Sequence, residues 1–255
     1  MALVAALLET RSAILTLRRA MPRGGAAVAS CRTTGSLERL LTSRLVEAVV
    51  TAPKMTTQPA MVQLMTRFPG IPLLIFAPFR PDDAAMILEC HRSGCAVAVE
   101  GVDDAVLGDM ISRVSLSAER QKAMLEAPRV LRLSESLQRR VFEYLLSNVG
   151  QPERTGNVAR RFQVSREHLS RQFGAGGAPN LKRVIDLTRI ACAAQLLANP
   201  GYSTSIVARI LNFASSSHLS DTARRVAGVS AANLPVIGPR GVLAAFVKGK
   251  SRSRA

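Results

Sequence analysis

The spacing of apolar residues changes once along the chain, and that change constrains the fold more than any other feature. Up to residue 115, short apolar or β-branched runs (2–8, 26–31, 45–51, 72–77 and 96–100) alternate with segments of helical period (12–20, 36–43, 59–68, 82–93 and 103–113). Near-continuous apolar strands separated by helices are buried as a parallel sheet with helices on both faces, so these cycles predict a doubly wound α/β domain of five parallel strands. On such sheets ligands bind just past the carboxyl ends of the strands. After Gln121 nearly every apolar run is spaced for a helix, at 135–147, 156–162, 166–173, 181–198, 204–211 and 216–226. Gly150, the glycines of 174–177 and Asn199-Pro200-Gly201 are the breaks. The expected organisation is an α/β domain at 1–115, a partly helical connector at 116–132, an all-α domain at 133–234 and a basic, flexible tail at 235–255, its last eight residues disordered.

The net charge of +16 is unevenly spread. Residues 1–115 hold 12 Lys/Arg against 10 Asp/Glu, whereas residues 116–255 hold 22 against 8. The second half is therefore expected to meet a polyanion. A basic membrane-binding surface would set Trp, Phe or Leu beside its cations, but the chain has no Trp and only 8 Phe, so nucleic acid is favoured. With 47% apolar residues the chain is expected to fold rather than stay disordered. Cys31, Cys90, Cys95 and Cys192 form no CxxC pair, which predicts free thiols in a reducing compartment. The apolar start lacks a basic leader, and no run reaches the about 18 apolar residues of a membrane span, so a soluble, cytoplasmic protein is expected.

Within the helical half, Val158-Ala159-Arg160-Arg161-Phe162 reads as a short helix burying Val158, Ala159 and Phe162. A tight turn follows, and then Ser165 as N-cap of a helix that buries Leu169 and Phe173 while leaving Arg166, Ser170 and Arg171 outside. This is a helix-turn-helix pattern. It recurs in Ile206-Val207-Ala208-Arg209-Ile210-Leu211-Asn212-Phe213 followed by Ser215-Ser216-Ser217-His218-Leu219-Ser220, with Asn212 at the turn position that favours positive φ. The two copies are joined by one long helix. In this arrangement residues 133–234 resemble the tandem helix-turn-helix domain of AraC/XylS-type bacterial transcription regulators. The resemblance rests on Val164-Ser165 with His168-Leu169-Ser170-Arg171 and Phe173, on Arg189-Ile190, Ala193 and Leu196-Leu197, and on Phe213, Ser215-Ser216-Ser217, Leu219-Ser220 and Gly228-Val229-Ser230.

The resemblance implies that each second helix enters a major groove of double-stranded DNA, and that one monomer reads an asymmetric site. It gives as DNA-facing residues Arg166, Glu167, Ser170 and Arg171 in the first copy and Ser217, His218, Ser220, Asp221 and Arg224 in the second. Arg171 leads, because arginine reading guanine is the commonest specific contact. The chain departs from the family at Asp221, where an arginine is usual, and at Ala223, where an aromatic is usual. A carboxylate in a groove is repelled by phosphate unless it accepts from cytosine, so the second helix is expected to bind more weakly or at another angle.

The first half resembles a response-regulator receiver, a flavodoxin-like fold, on the strength of its five βα cycles and of Phe68-Pro69-Gly70-Ile71-Pro72 leading into strand four. The resemblance implies an acidic pair after strand one, an acceptor Asp after strand three, a hydroxyl after strand four and a Lys after strand five. The chain offers Glu9 alone, Thr51, Ala77 and Glu100, which predicts a pseudo-receiver without phosphotransfer. Cys90-His91-Arg92-Ser93-Gly94-Cys95 has the wrong spacing for a zinc knuckle, and no nucleophile set, P-loop or GxGxxG is present, so no enzyme activity, cofactor or metal is expected. Asp82-Asp83 and Asp103-Asp104 read as helix openers. The resulting expectation is a phosphorylation-independent transcription regulator that binds specific DNA, contacts RNA polymerase or another regulator, and forms a homodimer through the N-terminal domain. The rival is a protein-interaction module with weak, mainly electrostatic DNA binding.

Overall fold

A computed structural model describes residues 3–22, 26–56, 58–80, 83–151 and 153–252. Ala2 and Asp82, which open two of the expected elements, and the last three residues of the tail lie outside them. The chain divides into two compact units, Met1–Glu119 with Asn199–Gly201, and Arg120–Ala198 with Tyr202–Ala255.

The first unit is built on five parallel strands: β1 (Leu3–Leu7), β2 (Ala27–Ser30), β3 (Val46–Thr51), β4 (Leu73–Ala77) and β5 (Ala96–Val99), in spatial order β2-β1-β3-β4-β5. This is the doubly wound architecture that the alternating periods predict. Val4, Ala6 and Leu8 alternate onto one face and join Val50, Leu74 and Phe76 with Ala13 and Leu17 of α1 (Arg11–Ala20) and Ile111 of α6 (Leu107–Val114). On this side α6 approaches α1 so closely that a Cβ at Gly108 would collide with the carbonyl oxygen of Ala20. Helix α2 (Thr34–Ser43) packs on β1 and on α4 (Pro59–Arg67), burying Leu37, Leu41, Met61 and Leu64.

Two local differences from expectation have a physical cause. A short helix, α3 (Pro53–Thr56), stands in the stretch between the expected strand ending at 51 and the helix starting at 59; Pro53 fixes its first turn and Thr56 Oγ1 donates to the Pro53 carbonyl. Asp103 and Asp104 do not open a helix. Their carboxylates accept from the N–H groups of Val99 and Gly101, so they close the turn after β5, and α6 starts only at Leu107. Asp83 does open a helix: it stands at the N-cap of α5 (Ala84–Arg92), its carboxylate accepting from Arg80 N–H.

The second unit is helical: α7 (Leu116–Ala123), whose last turn belongs to it, α8 (Ala127–Val130), α9 (Ser136–Ser147), α10 (Thr155–Arg161), α11 (Arg166–Gln172), α12 (Leu181–Leu197), α13 (Thr204–Ile210), α14 (Ser216–Ala227) and α15 (Leu234–Arg252), with a short extended segment, β6 (Phe173–Gly176), after α11. Helix α12 is buried along most of its length and packs against α9, α13, α14 and α15. The guanidinium of Arg120, fully buried, donates to the Leu146 carbonyl at 3.0 Å and to Gln195 Oε1 at 2.9 Å, joining the chain ahead of α9 to α9 and α12. A flexible tail at 235–255 is corrected by the structure: residues 234–252 form α15, bent at Gly238-Pro239, and Val242, Leu243 and Phe246 are buried in this unit's core. Among the described residues no single helix is long and apolar enough to cross a membrane.

Candidate nucleic-acid interface

The two halves of the helical unit are built twice on one local plan. In the first copy α10 ends as Gln163 takes a left-handed φ of 55°, which turns the chain so that Val164 N–H bonds to the Ala159 carbonyl at 3.1 Å. Ser165 then caps α11, its Oγ accepting from His168 N–H at 3.0 Å. In the second copy Asn212, at φ 57°, performs the same turn, Phe213 N–H bonds to the Ala208 carbonyl at 2.8 Å, and Ser215 Oγ accepts from His218 N–H at 3.0 Å. Positive φ at Asn212 was legible in the sequence; at Gln163 it was not, because glutamine has no short side chain to bond locally in that region. Gly228, at φ 70°, ends α14.

Each second helix buries one edge and exposes the other. In α11, Leu169 is buried while Arg166, Glu167, Ser170 and Arg171 are exposed. In α14, Leu219, Thr222, Ala223 and Val226 are buried while Ser217, His218, Asp221 and Arg224 are exposed and Ser220 is half-buried. The first four sequence-predicted residues therefore share one open face of α11, and four of the five in the second copy are open on α14. Asp221 and Arg224 pair with each other at 3.1 Å, so this face presents one cation and one anion that partly cancel. The His218 ring stands edge-on to Phe213 with centroids 5.6 Å apart, which orients it against its own turn.

Sequence reasoning missed the residues that hold these helices in place. Arg189 of α12 donates to the carbonyls of Leu211 and Asn212, both at 2.9 Å, and its guanidinium lies 3.7 Å from the centre of the Phe213 ring. Burial pulls its pKa down, and Asp186 one turn earlier partly offsets that. Asp186 in turn pairs with Arg225 of α14 at 2.9 Å. Asp186 and Arg189, a charged pair spaced three residues apart in the buried stretch of α12, were the available signal. In the first copy Tyr144 does the equivalent work: its hydroxyl donates to Glu153 at 2.6 Å and its ring meets Phe162 edge-on at 5.7 Å. Burial, with Glu153 adding to it, pushes the Tyr144 phenol up to about 12.

The first unit carries a separate cavity of about 950 Å³ at the carboxyl ends of its strands. Glu9, Ala77 and Glu100 all line it, together with Lys54, Arg80, Asp83 and Asp104. Thr51 is buried instead, its hydroxyl donating to the Leu7 carbonyl at 3.2 Å. Among the described residues no group of three His, Cys, Asp or Glu side chains could hold a metal ion.

Residues 158–234 match the family model described as "Helix-turn-helix domain". That match supports a DNA-binding regulator. No curated protein matches the chain. One solved structure, full-length FixJ from B. japonicum, superposes with 14% sequence identity and a TM-score of 0.37, covering 88% of this chain and 96% of that one, which is too loose to add to the fold described above.

Proposed function

We propose that the protein is a sequence-specific, double-stranded-DNA-binding transcription regulator of the AraC/XylS type, with a pseudo-receiver at its N-terminus that works without phosphorylation. The observation that carries this reading is the doubled turn-and-cap geometry at Gln163-Ser165 and Asn212-Ser215, each leading into a helix with an open polar face. In this reading Arg171 donates to guanine, Arg166 and Arg224 hold flanking phosphates, and Glu167, Ser170, Ser217, His218, Ser220 and Asp221 lie at or beside the base edges. The N-terminal reading is supported by Thr51 and Ala77 at the positions of an acceptor carboxylate and a sensing hydroxyl, and by Glu100, which repels a phosphoryl group. RNA polymerase or another regulator is the protein partner. Exposed Leu88, Val102 and Val106 in the N-terminal unit supply the apolar surface for a homodimer.

Selection of bound fragments from genomic DNA, followed by salt titrations on the selected and a scrambled duplex, tests the reading. A preference for the selected site that persists across salt is expected. Equal affinities with one steep salt slope would favour the second reading, a protein-interaction module with weak electrostatic DNA binding. The Asp221–Arg224 ion pair favours that alternative, since it withdraws a cation from the groove face.

A further inference from the structure

A trough of about 620 Å³ in the helical unit lies between residues 122–130 and the second half of α15, formed by residues other than the DNA-facing ones. Its walls are apolar: Leu125, which is 76% exposed, Val130, Leu243 and Val247. Lys122, Arg240 and Lys248 stand on its rim. The single carboxylate there, Glu126, is bound to Arg129 at 2.8 Å. Arg240 and Lys248 are eight residues apart on one helix, roughly 12 Å along its axis at about 1.5 Å per residue. An apolar floor with cations at both ends of a two-turn length does not suit a duplex, whose phosphates need no apolar contact. A single-headed fatty acid engages one end only. A second copy of this unit would bring 22 Lys/Arg against 8 Asp/Glu, as counted over 116–255, to a rim that is itself cationic.

From this charge complementarity we infer that the trough receives an acidic amphipathic helix of a partner protein, its apolar stripe on Leu125, Leu243 and Val247 and its carboxylates on Lys122, Arg240 and Lys248. Helix-in-groove docking of this kind is read by apolar anchors at i, i+3/i+4 and i+7. The inference does not depend on how the recognition helices meet DNA.

The test is selection of displayed helical peptides about 18 residues long on the full-length chain, with non-specific duplex present in excess to occupy the DNA-binding face. Enriched sequences are expected to carry an apolar stripe flanked by Asp or Glu about two turns apart. Their binding, read by fluorescence anisotropy, is expected to fall at least about tenfold with Leu125→Glu and with Lys248→Glu. A peptide whose terminal acid is replaced by lysine should recover the Lys248→Glu loss. Leu125 and Lys248 are exposed, so both variants keep the fold, which circular dichroism checks. Failure to enrich acidic helices, binding that survives both substitutions, or one-to-one uptake of oleate tighter than any selected peptide would overturn the inference.

Discussion

At the scale of single residues, Arg171 on α11 and Asp221 on α14 carry the proposed reading of DNA in opposite senses. Arg171 is exposed on α11 with five donors available, so Arg171→Ala is expected to cost about 1–3 kcal/mol on the selected site and to relax preference at one base pair. Anisotropy on a set of single-base variants measures this, and an equal loss on every sequence would make Arg171 a phosphate contact. Asp221 spends its charge on Arg224, so Asp221→Asn should free that arginine, raise affinity and steepen the salt dependence. A loss confined to the selected site would instead make Asp221 a cytosine reader. The cap at Ser165 was legible in the sequence because a serine ahead of an apolar-periodic run has a specific bond to make, and Ser215 makes the same bond in the second copy. Arg189 stood out in the sequence, but its partners did not, since they are backbone carbonyls more than 20 residues away that only folding brings near.

Elements show where pattern reading stops. The five βα cycles were legible because strand and helix periods differ sharply, and the two helix-turn-helix copies because each carries its own turn and cap. Helix α15 was not. Pro235, Gly238, Pro239, Gly241 and Gly249 break its local pattern, and its helical state comes from packing Val242, Leu243 and Phe246 in the core, with Arg183 of α12 lying 4.8 Å from the centre of the Phe246 ring. Ending the chain at residue 233 is therefore expected to uncover α12 and abolish cooperative unfolding of the helical unit, as measured by thermal denaturation; an unchanged transition would make α15 dispensable. The contact that joins α9 to the segment ahead of α10 has its own pH signature. Tyr144 keeps its proton to about 12 in the folded state against an ordinary 10.0, so it contributes stability that is present below pH 10 and lost as pH rises towards 12. Tyr144→Phe should remove that alkaline loss, and chemical denaturation at stepped pH between 9 and about 12 would read it.

On the scale of the whole molecule, the N-terminal unit has the sheet order of a doubly wound fold, and in the proposed reading it works without an aspartyl phosphate. Glu9, Ala77 and Glu100 line one cavity as their positions after β1, at the end of β4 and after β5 require, whereas Thr51 turns its hydroxyl onto the Leu7 carbonyl. Incubation with beryllofluoride and magnesium is expected to leave mass, oligomeric state and DNA affinity unchanged. A beryllofluoride-driven dimer would restore a phosphate switch to this unit. If beryllofluoride leaves all three unchanged, regulation requires a ligand or partner that prefers one conformation, and it can shift the balance only by that preference.

Arg120 gives the helical unit an unusual kind of ownership over its own upstream segment. Its guanidinium is the one that meets the Leu146 carbonyl and Gln195 Oε1 inside the core, yet it lies 35 residues ahead of α10, where the first helix-turn-helix begins. A fragment that starts at α9 would keep the Leu146 carbonyl and Gln195 but lose the arginine that donates to both, and one that starts at α10 would lose Leu146 as well, at a cost comparable to removing a core side chain. The helical unit is thus not a cassette that can be cut out at its first helix-turn-helix: a stable fragment must begin upstream of this arginine.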